Sequence, residues 1–341
     1  MVKQPTACRT GTSVIIPTYN SATSLRRCVE SVVSQSLPVG EIQVIDDGSI
    51  DNTQDVVAEF GSAVTYRRQE NQGQGAARNV GLQVAAGRYI AFLDADDYWQ
   101  PEFNRRCTEF LEQHADAIAV STGRLVRKWG QPEQQWPNDR TCQQLGIGGS
   151  YVLDDFFQFW ADHDHVRTGT VLLRRSAVDE VGLQRPDLRI SQDLEYWAML
   201  GTCGKWGLIP EPLWVGEPMS AVTERSWLEK YQLRRKLCPT VEVWQSRVVP
   251  RLTSQQWPGF RRVRGRVAAN FAQTLMLSGD QRGAWEIISH YGTEMPDNWF
   301  VRLVQFGRWW GTPGKLLTSH LVRVRENVKS MSMSRLAKLR G

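Results

Sequence analysis

Tyr89-Ile90-Ala91-Phe92-Leu93-Asp94-Ala95-Asp96-Asp97 is the stretch on which the reading of this chain turns. Five apolar residues in a row make a buried strand, and the carboxylates emerge where that strand ends. Asp94 and Asp96, one residue apart, suit a hard divalent cation. Mg2+ and Mn2+ take oxygen ligands and leave coordination sites for water and phosphate. The competing reading is a solvated acidic turn after a buried strand.

Working outward, the same pattern repeats. Ser13-Val14-Ile15-Ile16 is apolar and runs to Pro17, after which Leu25, Cys28, Val29 and Val32 recur at helical spacing. Ile42 to Ile45 is a second strand and ends in Asp46-Asp47-Gly48-Ser49. Val56, Val57 and Phe60 suit a second helix, Val64 to Tyr66 a short strand, and Ala76 to Ala86 a helix stopped by Gly87. Alternating strands and helices predict an α/β fold, with a mostly parallel sheet flanked by helices on both faces. Ligands of such sheets bind beyond the carboxyl ends of the strands. The acidic and glycine-bearing segments fall there three times.

Residues 130 to 150 are rich in Gln, Pro and Gly and read as a loop or an acceptor-side excursion. Thr170 to Leu173 and Trp206 to Ile209 read as strands, and Asp193 to Leu200 as a helix. From about Glu224 the pattern is helical, with a hairpin of Phe271–Leu277 and Ala284–Ile288 around Ser278-Gly279-Asp280. The expected division is an α/β domain over 1–220 and a helical region over 221–341.

The bulk numbers exclude several classes. The chain has 341 residues, 41% hydrophobic and 23% charged, as in a water-soluble globular protein. No apolar run approaches the length of a membrane span, and Met1-Val2-Lys3-Gln4-Pro5 leads into no signal segment, so a cytoplasmic protein is expected. Six cysteines without a Cys-x-x-Cys pair imply neither zinc nor a disulfide framework. The net charge of +5 is unevenly spread: residues 301–341 hold nine Lys/Arg against the single acid Glu326. A dedicated nucleic-acid binder would carry its basic surface on the fold itself. Leu317, Leu321, Val324, Val328 and Met331 share one helical face, with Lys315, Arg323, Arg325 and Lys329 around it. Such a tail can rest on an anionic membrane surface, at the inner face of the plasma membrane, or dock on the chain's own helices. Trp309-Trp310 beside Arg308 fits an interface. His163 and His165, flanked by Asp162 and Asp164, have the composition of a transition-metal cluster and equally that of a polar loop.

Val14-Ile15-Ile16-Pro17-Thr18-Tyr19-Asn20, Val44-Ile45-Asp46-Asp47-Gly48-Ser49, Asn71-Gln72-Gly73 with Ala77-Arg78-Asn79-Val80-Gly81, and Phe92-Leu93-Asp94-Ala95-Asp96-Asp97 occur in that order. Together they resemble the motif set of family 2 glycosyltransferases, over roughly residues 12 to 217. The resemblance implies the GT-A fold, which is Rossmann-like. It implies inverting transfer of a sugar from a nucleotide-diphospho-sugar, UDP-linked, to a hydroxyl of a glycan or lipid-linked acceptor, with Mn2+ or Mg2+ as cofactor. By the same resemblance Asp96 coordinates the metal and Asp94 contacts the ribose or the metal. Asp47 hydrogen-bonds a uracil-like ring over which Tyr19 stacks, and Pro17 ends its strand so that backbone groups face that base. Asp46 is open between this site and pinning the Gly48-Ser49 turn. Arg78 reaches the diphosphate or the base, or is a helix-surface arginine. Asp97 reads as a cap ahead of Pro101.

Inverting transfer needs a base for the acceptor hydroxyl. The candidate is Asp193 in Ser191-Gln192-Asp193-Leu194-Glu195-Tyr196-Trp197, where the family commonly has Glu-Asp and this chain has Gln192 in place of the Glu. Helix capping is the other role open to Asp193, and Glu195 is a second candidate base. Arg174-Arg175 resemble a basic pair of the family, for phosphate contact or structural ion pairing. A non-catalytic sugar-nucleotide-binding or scaffold protein, acting through its helical C-terminal region, is the alternative function. A nucleotidyltransferase lacks its glycine-rich triphosphate loop, and a processive synthase its spanning helices and Gln-x-x-Arg-Trp.

Overall fold

Strand β1 (Thr12–Thr18) is buried at every residue, which is why its Val14-Ile15-Ile16-Pro17 stretch is apolar without alternation. It pairs in parallel with β2 (Glu41–Asp46) on one side and with β4 (Tyr89–Phe92) on the other, and β3 (Thr65–Arg68) extends β2 in parallel. These four strands end at one edge of the sheet. The structure, a computed structural model, describes residues 10–127, 131–217 and 227–338, with 227, 230 and 328–338 as backbone only. Pro17 does not end β1: it is buried opposite Ile45, and the strand continues to Thr18.

Downstream the pairing becomes mixed. The full order is β3-β2-β1-β4-β9-β6-β10-β5, where β5 is Asp97–Trp99, β6 Ala117–Val126, β9 Val171–Arg174 and β10 Lys205–Gly216. β9 runs antiparallel to both β4 and β6, β10 runs parallel to β6, and β5 is antiparallel to β10. Two short strands, β7 (Gln134–Trp136) and β8 (Tyr151–Val152), attach to β6 and β10. Parallel pairing therefore describes residues 12–92, and the rest of the sheet is mixed.

Around the sheet lie α1 (Ala22–Val33), α2 (Thr53–Ala58), α3 (Gln74–Val84), α4 (Phe103–Gln113), α5 (Asp139–Leu145), α6 (Phe156–His163), α7 (Arg175–Val181) and α8 (Gln192–Gly201). On α1 the residues Leu25, Cys28, Val29 and Val32 are fully buried, as their spacing predicts. Burying each large apolar side chain contributes about 1.5–3 kcal/mol, enough to hold a helix that would be marginal alone. α3 lies tight on β1. A Cβ at Gly81 would come within 2.4 Å of Ile15 Cγ2, so only glycine permits that approach. The 131–150 segment is not a plain loop, since it contains β7 and α5.

Backbone contacts divide the chain into two compact units: residues 1–187 with 196–219, and residues 188–195 with 220–341. The short segment bearing Asp193 thus groups with the C-terminal helices. Those helices are α9 (Trp227–Leu237), α10 (Val241–Gln245), α11 (Trp257–Ser278), α12 (Gln281–Tyr291), α13 (Trp299–Trp309) and α14 (Gly311–Lys338). α11 and α12 form the expected hairpin, with Gly279 at φ +99° and Asp280 accepting a bond from the Gly283 N–H at 2.9 Å. α14 packs through Thr318 and Val322, each 1% exposed, while Leu317, Leu321 and Val324 stay exposed. The face expected to dock on the chain's own helices is therefore not the one that packs. Val328 and Met331 lie outside the described side chains. Among the described residues, no helix is long and apolar enough to cross a membrane.

Candidate functional site

The loops after β1 and β2 hold each other. The Asn20 N–H donates to Ser49 Oγ at 2.9 Å, and the Ile50 N–H donates to Asn20 Oδ1 at 2.8 Å. Asp46, buried beneath them, accepts from the Ser49 N–H at 2.8 Å and from the Tyr66 hydroxyl at 2.5 Å. It pins the turn at Gly48, whose φ of +87° few L side chains adopt. Of the two readings open for Asp46, this is the turn pin.

Asp47 is also buried, and its carboxylate is engaged at both oxygens. It accepts from Gln69 Nε2 at 2.7 Å, the Gln72 N–H at 2.8 Å and the Gly73 N–H at 2.7 Å. Asp47 therefore tethers the loop that leads into α3. Tyr19, at the mouth, is half exposed and keeps an open ring. Pro17 sits buried behind it in the strand.

At the end of β4, Asp94 Oδ1 accepts from Arg78 Nη2 and from Gln74 Nε2, both at 2.7 Å. Both donors come from α3, one turn apart. Arg78 is 1% exposed and so is not a helix-surface arginine. Its Nε and Nη1 are buried with no hydrogen-bond partner among the described residues. Asp94 already neutralises the Arg78 charge, so what the two idle N–H groups lack is hydrogen-bond acceptors, which is costly for buried polar groups. Asp96 is half-buried, and burial, then the Asp94 charge, raises its pKa. Asp97 opens β5 opposite Gly216 rather than capping a helix, since α4 begins after Glu102. Burial, then Asp94 and Asp96, pushes the Asp97 carboxyl up to about 9.

Asp94 and Asp96 fit a hard divalent cation by donor type, and the mutual repulsion that burial magnifies is what such a cation relieves. Among the described residues no group of three or more His, Cys, Asp or Glu side chains converges on one point. A cation here would rest on the two carboxylates and complete its shell with water and phosphate oxygens.

A second cluster has no local sequence signal. Arg27 Nη1 donates to Glu217 at 2.6 Å, and the Arg27 guanidinium lies 4.4 Å from the Tyr98 ring centre. Tyr98 accepts from Arg127 at 2.5 Å and donates to Glu217 at 3.3 Å. Glu217 is 190 residues from Arg27, so only the fold reveals the pair.

Asp193 lies in the first turn of α8, which begins at Gln192, so it is not the residue before the helix. The peptide dipoles of that turn favour a carboxylate. Ser191, at φ +57°, makes the sharp entry. Its carbonyl accepts from the Glu195 N–H and from Trp244 Nε1, both at 3.1 Å. Glu195, the second candidate base, is fully buried and lies 3.5 Å from Arg247 Nε.

Of the two readings open for Arg174 and Arg175 the structural one fits: they bond the carbonyls of Ala117 and Ala85, at 2.7 and 2.8 Å, and Arg175 pairs with Asp179 at 2.8 Å. Because β9 is antiparallel, Arg174 sits opposite Tyr89, at the far end of β4 from Asp94. His163 and His165 pack on aromatic rings, 4.5 and 4.9 Å from Phe159, and belong to no metal-binding group among the described residues.

Tyr19, Asp47, Arg78, Asp94 and Asp96 thus share one sheet edge, while Asp193 belongs to the other compact unit. Known proteins bear on this arrangement. Solved structures resemble the chain in fold. Staphylococcus aureus TarS 1–349 in complex with UDP-GlcNAc gives a TM-score of 0.56 at 14% identity, covering 94% of this chain and 93% of that one. The mannosyltransferase PcManGT from Pyrobaculum calidifontis, in complex with GDP-Man and Mn2+, gives 0.54 at 17% identity, covering 97% and 89%. The fold is that of GT-A glycosyltransferases, with a helical C-terminal region. In sequence, Escherichia coli YibD, an uncharacterized glycosyltransferase, is 31% identical over 192 residues, 55% of this chain; the chain spans 52% of YibD, about half its length. Bacillus subtilis TuaG, named for teichuronic acid biosynthesis, is 31% identical over 193 residues, 55% of this chain and 71% of TuaG. The glycosyl transferase family 2 sequence model matches residues 13–182, the span that carries every loop of the sheet-edge site. By motif order, shared sequence and fold together, the chain belongs to glycosyl transferase family 2.

Proposed function

We propose that the chain moves a sugar, with inversion, from a UDP-linked donor to a hydroxyl of a glycan or glycolipid, in a Mn2+- or Mg2+-dependent reaction with Asp193 as general base. One observation carries this reading: α3 aims Arg78 and Gln74 at Asp94, beside Asp96, and leaves two buried guanidinium N–H groups unused. A nucleoside diphosphate supplies the missing acceptors. The two N–H groups donate to phosphate oxygens, a charge-assisted contact stronger than a neutral one. Tyr19 stacks on the base. Asp47 accepts from the base N–H by giving up one of its three bonds to the 69–73 loop. A divalent cation on Asp96 and Asp94 supplies Lewis-acid stabilisation of the departing diphosphate. Asp193 takes the proton of the acceptor hydroxyl as its oxygen attacks the anomeric carbon from the side opposite the leaving group.

The TarS and PcManGT complexes support a nucleotide-sugar donor, and the second supports Mn2+. The name of TuaG supports a surface-glycan acceptor. A panel of UDP- and GDP-sugars, read by thermal shift with Mn2+ and with EDTA, tests the reading. UDP-sugars should stabilise the protein only with Mn2+. No stabilisation by any nucleotide sugar would count against the whole proposal.

A further inference from the structure

The corner where α13 meets α14 is amphipathic in the wrong direction for a helical hairpin. Its inner seam is made of small and short side chains. A Cβ on Gly307 would meet Thr318 Oγ1 at 2.0 Å, and one on Gly314 would meet the Gly307 carbonyl at 2.5 Å, so the two helices touch almost backbone to backbone. The large apolar residues point the other way. Trp309 is 90% exposed, Trp310 61% and Leu316 63%, and Phe306, Leu317 and Leu321 are between 40% and 49%. Phe306 and Trp310 rest on each other, with ring centres 5.5 Å apart. Exposed large apolar side chains concentrated on two consecutive helices in this way mark an interaction site.

Charge says what covers it. Nine Lys/Arg stand against one acid from residue 301 to the end of the chain. Arg308 and Lys315 are exposed on the same corner. A second copy would bring the same positive charge to the contact, whereas an anionic surface would complement it. Trp at the rim, aliphatic side chains beside it and cations around them are the composition that settles at the headgroup boundary of a bilayer. Beside the corner lies a cavity of about 390 Å3, lined by Gln281, Arg282, Trp285, Thr312, Lys315 and Leu316. Lys315 Nζ sits 5.3 Å above the Trp285 ring. The Trp285 indole N–H is buried without an acceptor among the described residues. Two cations, Arg282 and Lys315, over an apolar floor suit a phosphate headgroup on its hydrocarbon.

We propose that the α13–α14 corner binds the surface of an anionic phospholipid bilayer, lying on it without spanning it, and that the Trp285 cavity seats a lipid phosphate. The proposal is independent of the donor site. Its test is co-sedimentation of the full chain with vesicles of phosphatidylcholine alone, and of phosphatidylcholine with roughly a third phosphatidylglycerol, at low and high salt, since each nearby cation adds about a few-fold in partitioning to anionic lipid. Binding should require phosphatidylglycerol and weaken with salt. Trp309→Ser combined with Trp310→Ser, and separately Arg308→Glu combined with Lys315→Glu, should each lower the partition coefficient about tenfold or more. Leu145→Ser, an exposed apolar change elsewhere, should leave it unchanged, and melting temperature should show each variant folded. Equal binding to both vesicle types, no binding, or insensitivity to both double variants would overturn the proposal. So would a dimer in sedimentation equilibrium that the Trp double variant dissociates, since a second copy would then be the occupant.

Discussion

The sheet edge at residues 12–97 and the segment at 188–195 carry the two halves of the proposed chemistry and are built in opposite ways. At the edge, Asp46, Asp47 and Asp94 are held by neighbours close in sequence. Asp46 and Asp47 are bonded by residues 3 to 26 positions away, and Asp94 by Gln74 and Arg78, 20 and 16 positions away. In the second segment the contacts come from afar: Trp244 reaches Ser191 across 53 residues, and Arg247 reaches Glu195. A donor site that rides on its own motifs can be carried by a sheet alone. A base presented by Ser191–Glu195 depends on helices that no motif announces.

Substitution separates the two regions, and the largest effect is expected in the second. Asp193→Asn keeps the shape of the α8 entry but removes the proton acceptor. It should lower kcat about 10²–10⁴-fold while leaving the donor KM nearly unchanged. Unchanged turnover would remove Asp193 from the chemistry and leave the edge standing alone.

Arg78→Lys comes next. Lysine keeps the charge and loses the fork, so it cannot serve Asp94 and a diphosphate together. Charge-assisted bonds of about 1.5–3 kcal/mol translate into roughly a 10–100-fold loss in kcat/KM. The loss should appear in donor KM, in contrast to Asp193→Asn. An effect on kcat alone would contradict the diphosphate role.

Asp97→Asn tests the electrostatics of the edge through stability. The folded protein holds the Asp97 carboxyl at about 9, above its ordinary 3.8, so folding favours the protonated form. Its contribution is fully present below pH ~3.8 and is lost as pH rises toward ~9. The neutral amide escapes that loss. Without metal, Asp97→Asn should therefore be more stable than wild type at pH 8, by an amount on the order of a few kcal/mol, and about equal to it at pH 4. Calorimetry at both pH values decides, and a destabilised variant at pH 8 would contradict the assignment.

The smallest effect should come from Trp244→Phe. Phenylalanine keeps a ring against Phe260, where ring centres are 6.0 Å apart, but removes the bond to the Ser191 carbonyl and leaves a space in a fully buried site. The lost bond and the space should lower stability by about 1–3 kcal/mol, read by melting temperature, and a loosened Asp193 should show separately as a fall in kcat of about fivefold or less with donor KM unchanged. An unchanged kcat would show that the helical unit does not position the base.

The same contrast explains what could be read in the chain. β1, β2 and β4, the helices between them and the residues at their ends were legible because burial sets the apolar runs and the loops sit at fixed positions after them. The burial of Arg78 was not, since a helical arginine looks the same facing inward or outward until Asp94 and Phe92 are seen beside it. The role of Asp97 was misread because β5 depends on pairing with Gly216, 119 residues on. The sequence left Arg174-Arg175 open between phosphate contact and structural pairing, because it does not show that β9 enters antiparallel and sets Arg174 opposite Tyr89. Periodicity on α14 found its apolar stripe, but packing used the Thr318–Val322 side instead.

The central claim is that Asp94 and Asp96 hold a divalent cation for a nucleoside diphosphate that Arg78 also grips. Titration calorimetry of UDP into wild type and Asp96→Ala, each with Mn2+ and with EDTA, tests it most directly. Wild type should bind UDP at least about tenfold more tightly with Mn2+, and Asp96→Ala should show one weak affinity in both buffers. UDP affinity that is the same with and without Mn2+ in wild type, or Mn2+ dependence that survives in Asp96→Ala, would contradict it.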